Sequence, residues 1–161
     1  MSILFKTGDI FTSDAPIIGH GTNTEGLMGS GIALQFKKRW PEMHEHYVNM
    51  CAEQFRERLV GTAALWIHDY YEAENTVEYQ KIIANVFSQD LPGANGNYQW
   101  AIKGINQVVN FAMQNNFDSI ALPRIACGVA GLNWNVMQVM IFDNFEQFPV
   151  DIELWSLPDA K

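Results

Sequence analysis

Residues 19–33 read GHGTNTEGLMGSGIA, a glycine-rich stretch that lies between two apolar segments. Residues 15–18 before it predict a buried strand, and residues 32–39 have the spacing of a helix that begins inside the glycines. Glycine lets the backbone adopt positive φ and approach a ligand closely, and unpaired N–H groups at a helix start attract anions. The stretch therefore predicts a cradle for a phosphate or diphosphate, although a purely steric glycine turn fits it equally well.

The spacing of these glycines excludes two familiar phosphate-binding motifs. No Gly-Lys-Ser/Thr closes the loop, and Gly26, Gly29 and Gly31 do not give the G-x-G-x-x-G order. Asn23 followed by residues 28–33, MGSGIA, instead resembles the macro domain, a module that binds ADP-ribose. In that family an Asn is followed, after a few residues, by Gly-Gly-Gly-Val/Ile-Ala.

A second glycine loop, residues 124–134, follows a buried strand predicted at 118–123. With Pro123 before it, this loop resembles the macro-domain segment Pro-x-Ile-x-x-Gly-x-x-Gly, which wraps the diphosphate and the distal ribose. Ligands of open α/β sheets bind beyond the carboxyl ends of the strands, where separate loops converge. We therefore expect both glycine loops to face one cleft.

The third matching segment is Gly8-Asp9-Ile10, which follows a strand predicted at residues 3–6. In macro domains the corresponding Asp accepts a hydrogen bond from the adenine amine, and the next backbone N–H meets a ring nitrogen. The resemblance implies these roles for Asp9 and Ile10. The residues alone fit equally an Asx-turn in which Asp9 closes the loop on its own backbone.

The resemblance covers the whole chain in the correct order and implies a set of ligand-binding residues. They are Gly8, Asp9, Ile10, Gly21, Thr22, Asn23, Met28, Gly29, Ser30, Gly31, Ile32, Ala33, Pro123, Ile125, Ala126, Cys127, Gly128, Val129, Ala130, Gly131 and Leu132. We expect Asn23 to orient the distal ribose. Cys127 has no Cys-x5-Arg loop around it, so we expect it to pack against the ligand rather than to act as a nucleophile.

The rest of the chain alternates between strand and helix patterns, which predicts an α/β sandwich with a mostly parallel sheet. The resemblance specifies a three-layer α/β/α macro-domain sandwich with a mixed central sheet, formed by residues 1–161 as one domain. Further helices are expected at residues 42–56, 98–116 and 135–145, and further strands at 62–67, 78–87 and 151–156. A polar turn is predicted at residues 72–75, and residues 88–97 form a flexible loop over the ligand site.

Within the family, the chain looks most like the branch that contains ADP-ribose 1″-phosphate phosphatases and terminal ADP-ribose glycohydrolases acting on glutamate esters. The glycohydrolases use a lysine nucleophile after the strand that ends here at Phe87, and an aspartate in the second glycine loop. This chain has no lysine from 82 to 102, and Ala130 stands near the aspartate position. The phosphatases are the nearer comparison. The alternatives are a non-catalytic ADP-ribose or nucleotide-signal binder, and an ADP-ribosyl-protein hydrolase without the lysine.

Two residues are candidates for proton transfer. His20 directly precedes the first loop, and an unperturbed imidazole can act as acid or base near neutral pH. It also fits a structural histidine bonded to a carbonyl at the strand end. Asp90, in the loop at residues 88–97, is the second acid or base candidate.

Composition limits the partners. A formal charge of −8 argues against a nucleic-acid surface held by bulk electrostatics. No metal or cofactor is expected, since His44 and His46 lie two apart on a predicted helix and point to different faces. We expect ADP-ribose, ADP-ribose 1″-phosphate or ADP-ribosylated protein as partners.

The chain shows no secretory h-region and no run of transmembrane length, so the sequence predicts a cytoplasmic location without membrane contact.

Overall fold

The computed structural model describes residues 2–72 and 76–158, of which residues 68–72 and 76–80 are described by their backbone alone. Its six strands are β1 (Ile3–Thr7), β2 (Ile17–Thr22), β3 (Ala63–Glu72), β4 (Thr76–Phe87), β5 (Ser119–Pro123) and β6 (Asp151–Ser156). The helices are α1 (Gly31–Arg39), α2 (Pro41–Glu53), α3 (Arg56–Leu59), α4 (Tyr98–Gln114) and α5 (Trp134–Phe145), and a 3-10 turn spans Ile10–Thr12.

The strands form one sheet in the order β1-β6-β5-β2-β4-β3. Every neighbouring pair is parallel except β3 and β4, which are antiparallel. This arrangement confirms the predicted mixed, mostly parallel sheet. Because five strands run in the same direction, the segments that follow β1, β2, β4, β5 and β6 all emerge at one edge, called here the carboxyl edge of the sheet.

Helices cover both faces of the sheet. Side chains alternate along a strand, so Ile17 packs with residues of α4 and α5, whereas Ile18 packs with residues of α1 and α2. Ile82 and Ile83 of β4 divide in the same way between the two cores. The predicted three-layer α/β/α sandwich is therefore confirmed.

β2 differs from the sequence-based prediction. It begins at Ile17 and runs to Thr22, so it contains Gly19, His20 and Gly21, which the sequence assigned to the loop. Gly19 is needed for close packing, since a Cβ at this position would lie 2.9 Å from the Leu122 side chain. Gly19 and Gly21 therefore belong to the sheet, and the loop itself begins at Asn23.

Smaller differences concern element ends. The helix predicted over residues 42–56 ends at Glu53, because Gln54 is extended (ψ 149), and the short α3 follows. β3 is longer than predicted and β4 begins earlier, while residues 73–75 of the predicted turn lie outside the described residues. Among the described helices, none combines the length and the apolar character that crossing a bilayer requires.

Candidate functional site

The first glycine loop follows β2 at the carboxyl edge and is shaped by Asn23. Its side-chain oxygen accepts hydrogen bonds from the amides of Glu25 (3.0 Å) and Leu27 (3.3 Å), and its amide nitrogen donates to the Leu27 carbonyl (2.9 Å). The hydroxyl of Tyr47 donates to the Asn23 carbonyl at 2.7 Å. The Asn23 side chain therefore holds the shape of its own loop. Its role at the distal ribose stays a prediction.

The loop ends at the start of α1, where backbone N–H groups are left without acceptors. Ser30 is the N-cap residue, but its hydroxyl makes no capping bond. The first amides of a helix have no intrahelical partner, and here they belong to Gly31, Ile32 and Ala33. Together with the helix dipole they form a site for an anion. Gly29 adjoins this site, and a Cβ added to it would meet no atom within 4 Å.

The second glycine loop follows β5 at the same edge. Ala126 adopts a left-handed conformation (φ 59), and its carbonyl accepts a hydrogen bond from Leu132 at 3.0 Å, which closes the loop. The amides of Gly128, Val129 and Ala130 donate no backbone hydrogen bond within the described part of the chain. Three neighbouring free amides form a second group of donors suited to an anion.

The two loops lie against each other. A Cβ built on Gly31 would lie 4.0 Å from a methyl carbon of Val129. A Cβ added to Gly128, like one added to Gly29, would meet no atom within 4 Å. The two glycine loops therefore lie side by side at the carboxyl edge. A ligand cleft formed by both of them stays a prediction.

Asp9 follows β1 at this edge and is exposed. One carboxylate oxygen accepts a hydrogen bond from the Phe11 amide at 2.9 Å, which caps the 3-10 turn. This is the Asx-type arrangement that the residues alone allowed. The second oxygen has no partner among the described residues, so Asp9 can close its turn and still accept a hydrogen bond from a ligand.

His20, in contrast, lies in the core. It is fully buried, its ring stacks on Phe36 with centroids 3.8 Å apart, and its Nε2 lies 2.7 Å from the side-chain oxygen of Asn85. Burial lowers the pKa of His20 to about 4. With no exposed surface, the ring gives no support to the catalytic role, which stays a prediction. His20 shares a face of β2 with Ile18, and α1 covers that face through Phe36.

Asp90 is half-buried in the loop after β4. Its carboxylate accepts a hydrogen bond from the Leu91 amide at 2.7 Å, and its carbonyl accepts from both the amide and the hydroxyl of Thr24 at 2.9 Å. Gln89 donates to the carbonyls of Leu91 (2.6 Å) and Gly93 (3.1 Å). Hydrogen bonds thus link parts of this loop to one another and join it to the first glycine loop.

Four further residues lie in or beneath the two glycine loops or next to them. Met28 is buried beneath the first loop, and Tyr47, which supports Asn23 from α2, carried no sequence motif. Burial raises the pKa of Cys127 to about 11, so the thiol is neutral. The hydroxyl of Ser88 is buried without a partner next to Gly21. No group of three metal-ligating side chains occurs among the described residues.

Comparisons with known proteins agree on the family. The macro domain family model matches residues 20–141. A DNA ADP-ribosyl glycohydrolase of Mycobacterium tuberculosis is 26% identical over 158 residues, which cover 98% of this chain and 42% of that protein. An ADP-ribose 1″-phosphate phosphatase of Lodderomyces elongisporus is 25% identical, with 88% of this chain and 91% of the relative covered.

Solved structures give the same result for the fold. The macrodomain of Mycobacterium tuberculosis DarG superposes with a TM-score of 0.77 at 27% identity, covering 95% of this chain and 96% of the other. The structure of Thermosipho africanus DarTG in complex with ADP-ribose gives a TM-score of 0.78 at 18% identity, covering 98% of this chain and 42% of the other. This chain spans about two fifths of the length of the glycohydrolase relatives. The matched profile and the observed sheet place the chain in the macro domain family.

Proposed function

We propose that this chain binds ADP-ribose in the cleft between the two glycine loops and hydrolyses a derivative at C1″ of the distal ribose, with ADP-ribose 1″-phosphate as the first substrate to test. The observation that carries the proposal is the meeting of two groups of free amides at one edge of the sheet. Relatives named ADP-ribose 1″-phosphate phosphatase and DNA ADP-ribosyl glycohydrolase support the same class of ligand.

Each part of the cleft has a role in this proposal. The free oxygen of Asp9 accepts from the adenine amine, and the amides at the start of α1 and at residues 128–130 hold the diphosphate and the distal ribose. Hydrolysis of a phosphate monoester also requires an activated water and an acid for the leaving hydroxyl. With His20 buried, Asp90 is the remaining acid or base candidate from the sequence, and it lies on the loop that contacts the first glycine loop.

A second candidate function is non-catalytic capture of ADP-ribose. It is favoured by the burial of His20 and by the absence of lysine from 82 to 102. The relatives named DNA ADP-ribosyl glycohydrolase add hydrolysis of ADP-ribosylated DNA, and the family resemblance adds hydrolysis of ADP-ribosylated protein. The charge of −8 argues that a DNA substrate would be held through its ADP-ribose rather than through its phosphate backbone.

One experiment separates these functions. The protein is titrated with ADP-ribose by calorimetry and then incubated with ADP-ribose 1″-phosphate, with ADP-ribosylated protein and with an ADP-ribosylated oligonucleotide. Release of phosphate from the first substrate supports the phosphatase, and release of ADP-ribose from either macromolecule identifies a glycohydrolase. Binding without any product establishes the non-catalytic function, and absence of ADP-ribose binding overturns the proposal.

Replacing Asp9 by alanine should weaken ADP-ribose binding by about 1–3 kcal/mol, because the ligand amine loses a charge-assisted acceptor. Calorimetry measures the change, and Asp143→Ala, on the exposed surface of α5, is the matched control. Equal affinity of Asp9→Ala and the wild type would remove Asp9 from the adenine site.

Replacing Asp90 by asparagine keeps an oxygen that can accept from the Leu91 amide but removes the ionisable group. Turnover should fall by about 100-fold or more while ADP-ribose affinity stays nearly constant, since proton transfer typically contributes 10²–10⁴ to rate. Glu25→Gln makes the same charge change on the exposed part of the first loop and serves as control. Unchanged kcat in Asp90→Asn would show that Asp90 transfers no proton.

A further inference from the structure

A second cavity lies away from the glycine loops, at the opposite edge of the sheet. Its volume is about 490 Å³. The residues that line it include Phe11, Ser13, Asp14, Arg39, Trp40 and Lys81. α1 separates it from the cleft, because the first glycine loop meets the start of this nine-residue helix and the cavity meets its end. At 1.5 Å per residue the two sites are about 13 Å apart along the helix. The volume is that of a pocket for a small organic molecule.

Lys81 is the unusual group in this cavity. It is only 8% exposed, and its ammonium group donates to the carbonyls of Ser13 (3.0 Å) and Ala15 (2.6 Å). No carboxylate of the described residues forms an ion pair with it. Burial lowers the pKa of Lys81, and the nearby carboxylates of Asp14 and Glu153 oppose that shift. One oxygen of Glu153 already accepts hydrogen bonds from the Ser13 hydroxyl and the Trp155 indole. A buried lysine is normally paired, and this one has a third N–H left to donate.

The walls of the cavity add a second cation and aromatic surface. The guanidinium carbon of Arg39 lies 4.1 Å from the centroid of the Phe11 ring, and the Arg39 side chain is exposed at the cavity mouth. Trp40 packs on Phe36 and Phe11 and contributes its indole to the wall. Asp14 is exposed at the rim, and its charge partly offsets the attraction of the two cations for an anion.

We propose that this cavity binds a small organic anion that carries one carboxylate or phosphate group on an aromatic or apolar body. The anionic group pairs with Lys81 and Arg39, and the body lies against Trp40 and Phe11. The aromatic wall of Phe11 and Trp40 distinguishes this ligand from the diphosphate proposed for the cleft. The site is independent of the function proposed for the glycine loops.

The test uses phenyl phosphate, benzoate and uncharged phenol as probes, titrated into isotope-labelled protein and followed by NMR. Phenyl phosphate or benzoate should give saturable shifts at the Trp40 indole and the Arg39 guanidinium, and the stronger of the two identifies the preferred anionic group. Phenol should give none. Shifts confined to the amides of Gly29 and Gly128 would place the anion in the cleft instead and overturn the proposal.

Matched variants test the role of the cations. Arg39→Gln should weaken binding of the preferred probe about tenfold, because an ionic hydrogen bond is lost. Lys38→Gln, which removes the same charge from the neighbouring exposed position outside the cavity, should leave the affinity unchanged. Arg39 is chosen because Lys81 also holds two backbone carbonyls. Equal affinities of the two variants, or no saturable binding by the wild type, would contradict the proposal.

Discussion

Leucine in place of Gly128 should reduce ADP-ribose affinity by at least about 100-fold, equivalent to about 2.7 kcal/mol, while leaving the fold intact. The reason is steric. A Cβ at Gly128 meets no protein atom within 4 Å, so a side chain can leave the backbone here without displacing its neighbours. The added side chain instead fills the space above the amides of residues 128–130, where the phosphates are proposed to bind. Calorimetry with ADP-ribose measures the loss, and thermal unfolding checks the fold.

Gly29→Leu is expected to act in the same way from the other side of the cleft, since its Cβ also meets open space. The control is Gln114→Leu, which adds a leucine to an exposed position at the far end of α4. That end lies about 25 Å along the helix from the carboxyl edge. Full ADP-ribose binding by both glycine variants would show that the loops do not form the cradle.

The fold and the general position of the cleft were predictable because they depend on local patterns. Alternating apolar segments gave the order of strands and helices, and the glycines marked the loops after β2 and β5. Gly8-Asp9-Ile10 marked the loop after β1. Since parallel strands end at the same edge, these segments had to meet there. The hydrogen bond from the Phe11 amide to the Asp9 carboxylate was predictable for the same reason, because it joins residues within one three-residue segment.

What the sequence did not predict depends on contacts between distant segments. Asn23 is held by a hydrogen bond from Tyr47, which is 24 residues away on α2. The cavity around Lys81 exists only because β4 packs against residues 11–16 and the end of α1. The catalytic role predicted for His20 rested on its position before the loop, which suggested access to a ligand. The extension of β2 to Thr22 instead places the ring against Phe36 of α1, in the core.

Acid should destabilise the protein through His20. The short distance from Nε2 to the Asn85 oxygen makes Nε2 the protonated nitrogen of a neutral ring, and Nδ1 is buried without a partner. A second proton would therefore place a charge in the core. Burial lowers the pKa of His20 from 6.5 to about 4, so the unfolded chain binds the proton first as pH falls. The contribution of the neutral His20 ring to the free energy of unfolding is complete above pH 6.5 and is lost as the pH falls from 6.5 to about 4.

Between pH 7.5 and pH 5 the contribution of His20 to the free energy of unfolding should fall by about 2 kcal/mol, at 1.36 kcal/mol per pH unit below the unfolded pKa. Urea unfolding at the two pH values measures this for the wild type and for His20→Gln, whose side chain does not titrate. From pH 7.5 to pH 5, the free energy of unfolding should fall by about 2 kcal/mol less in His20→Gln than in the wild type. The variant is less stable than the wild type at both pH values. His46→Gln, which removes an exposed imidazole from α2, should keep the wild-type loss. Equal losses in the wild type and His20→Gln would mean that the buried ring does not resist protonation, and its catalytic role would then have to be reconsidered.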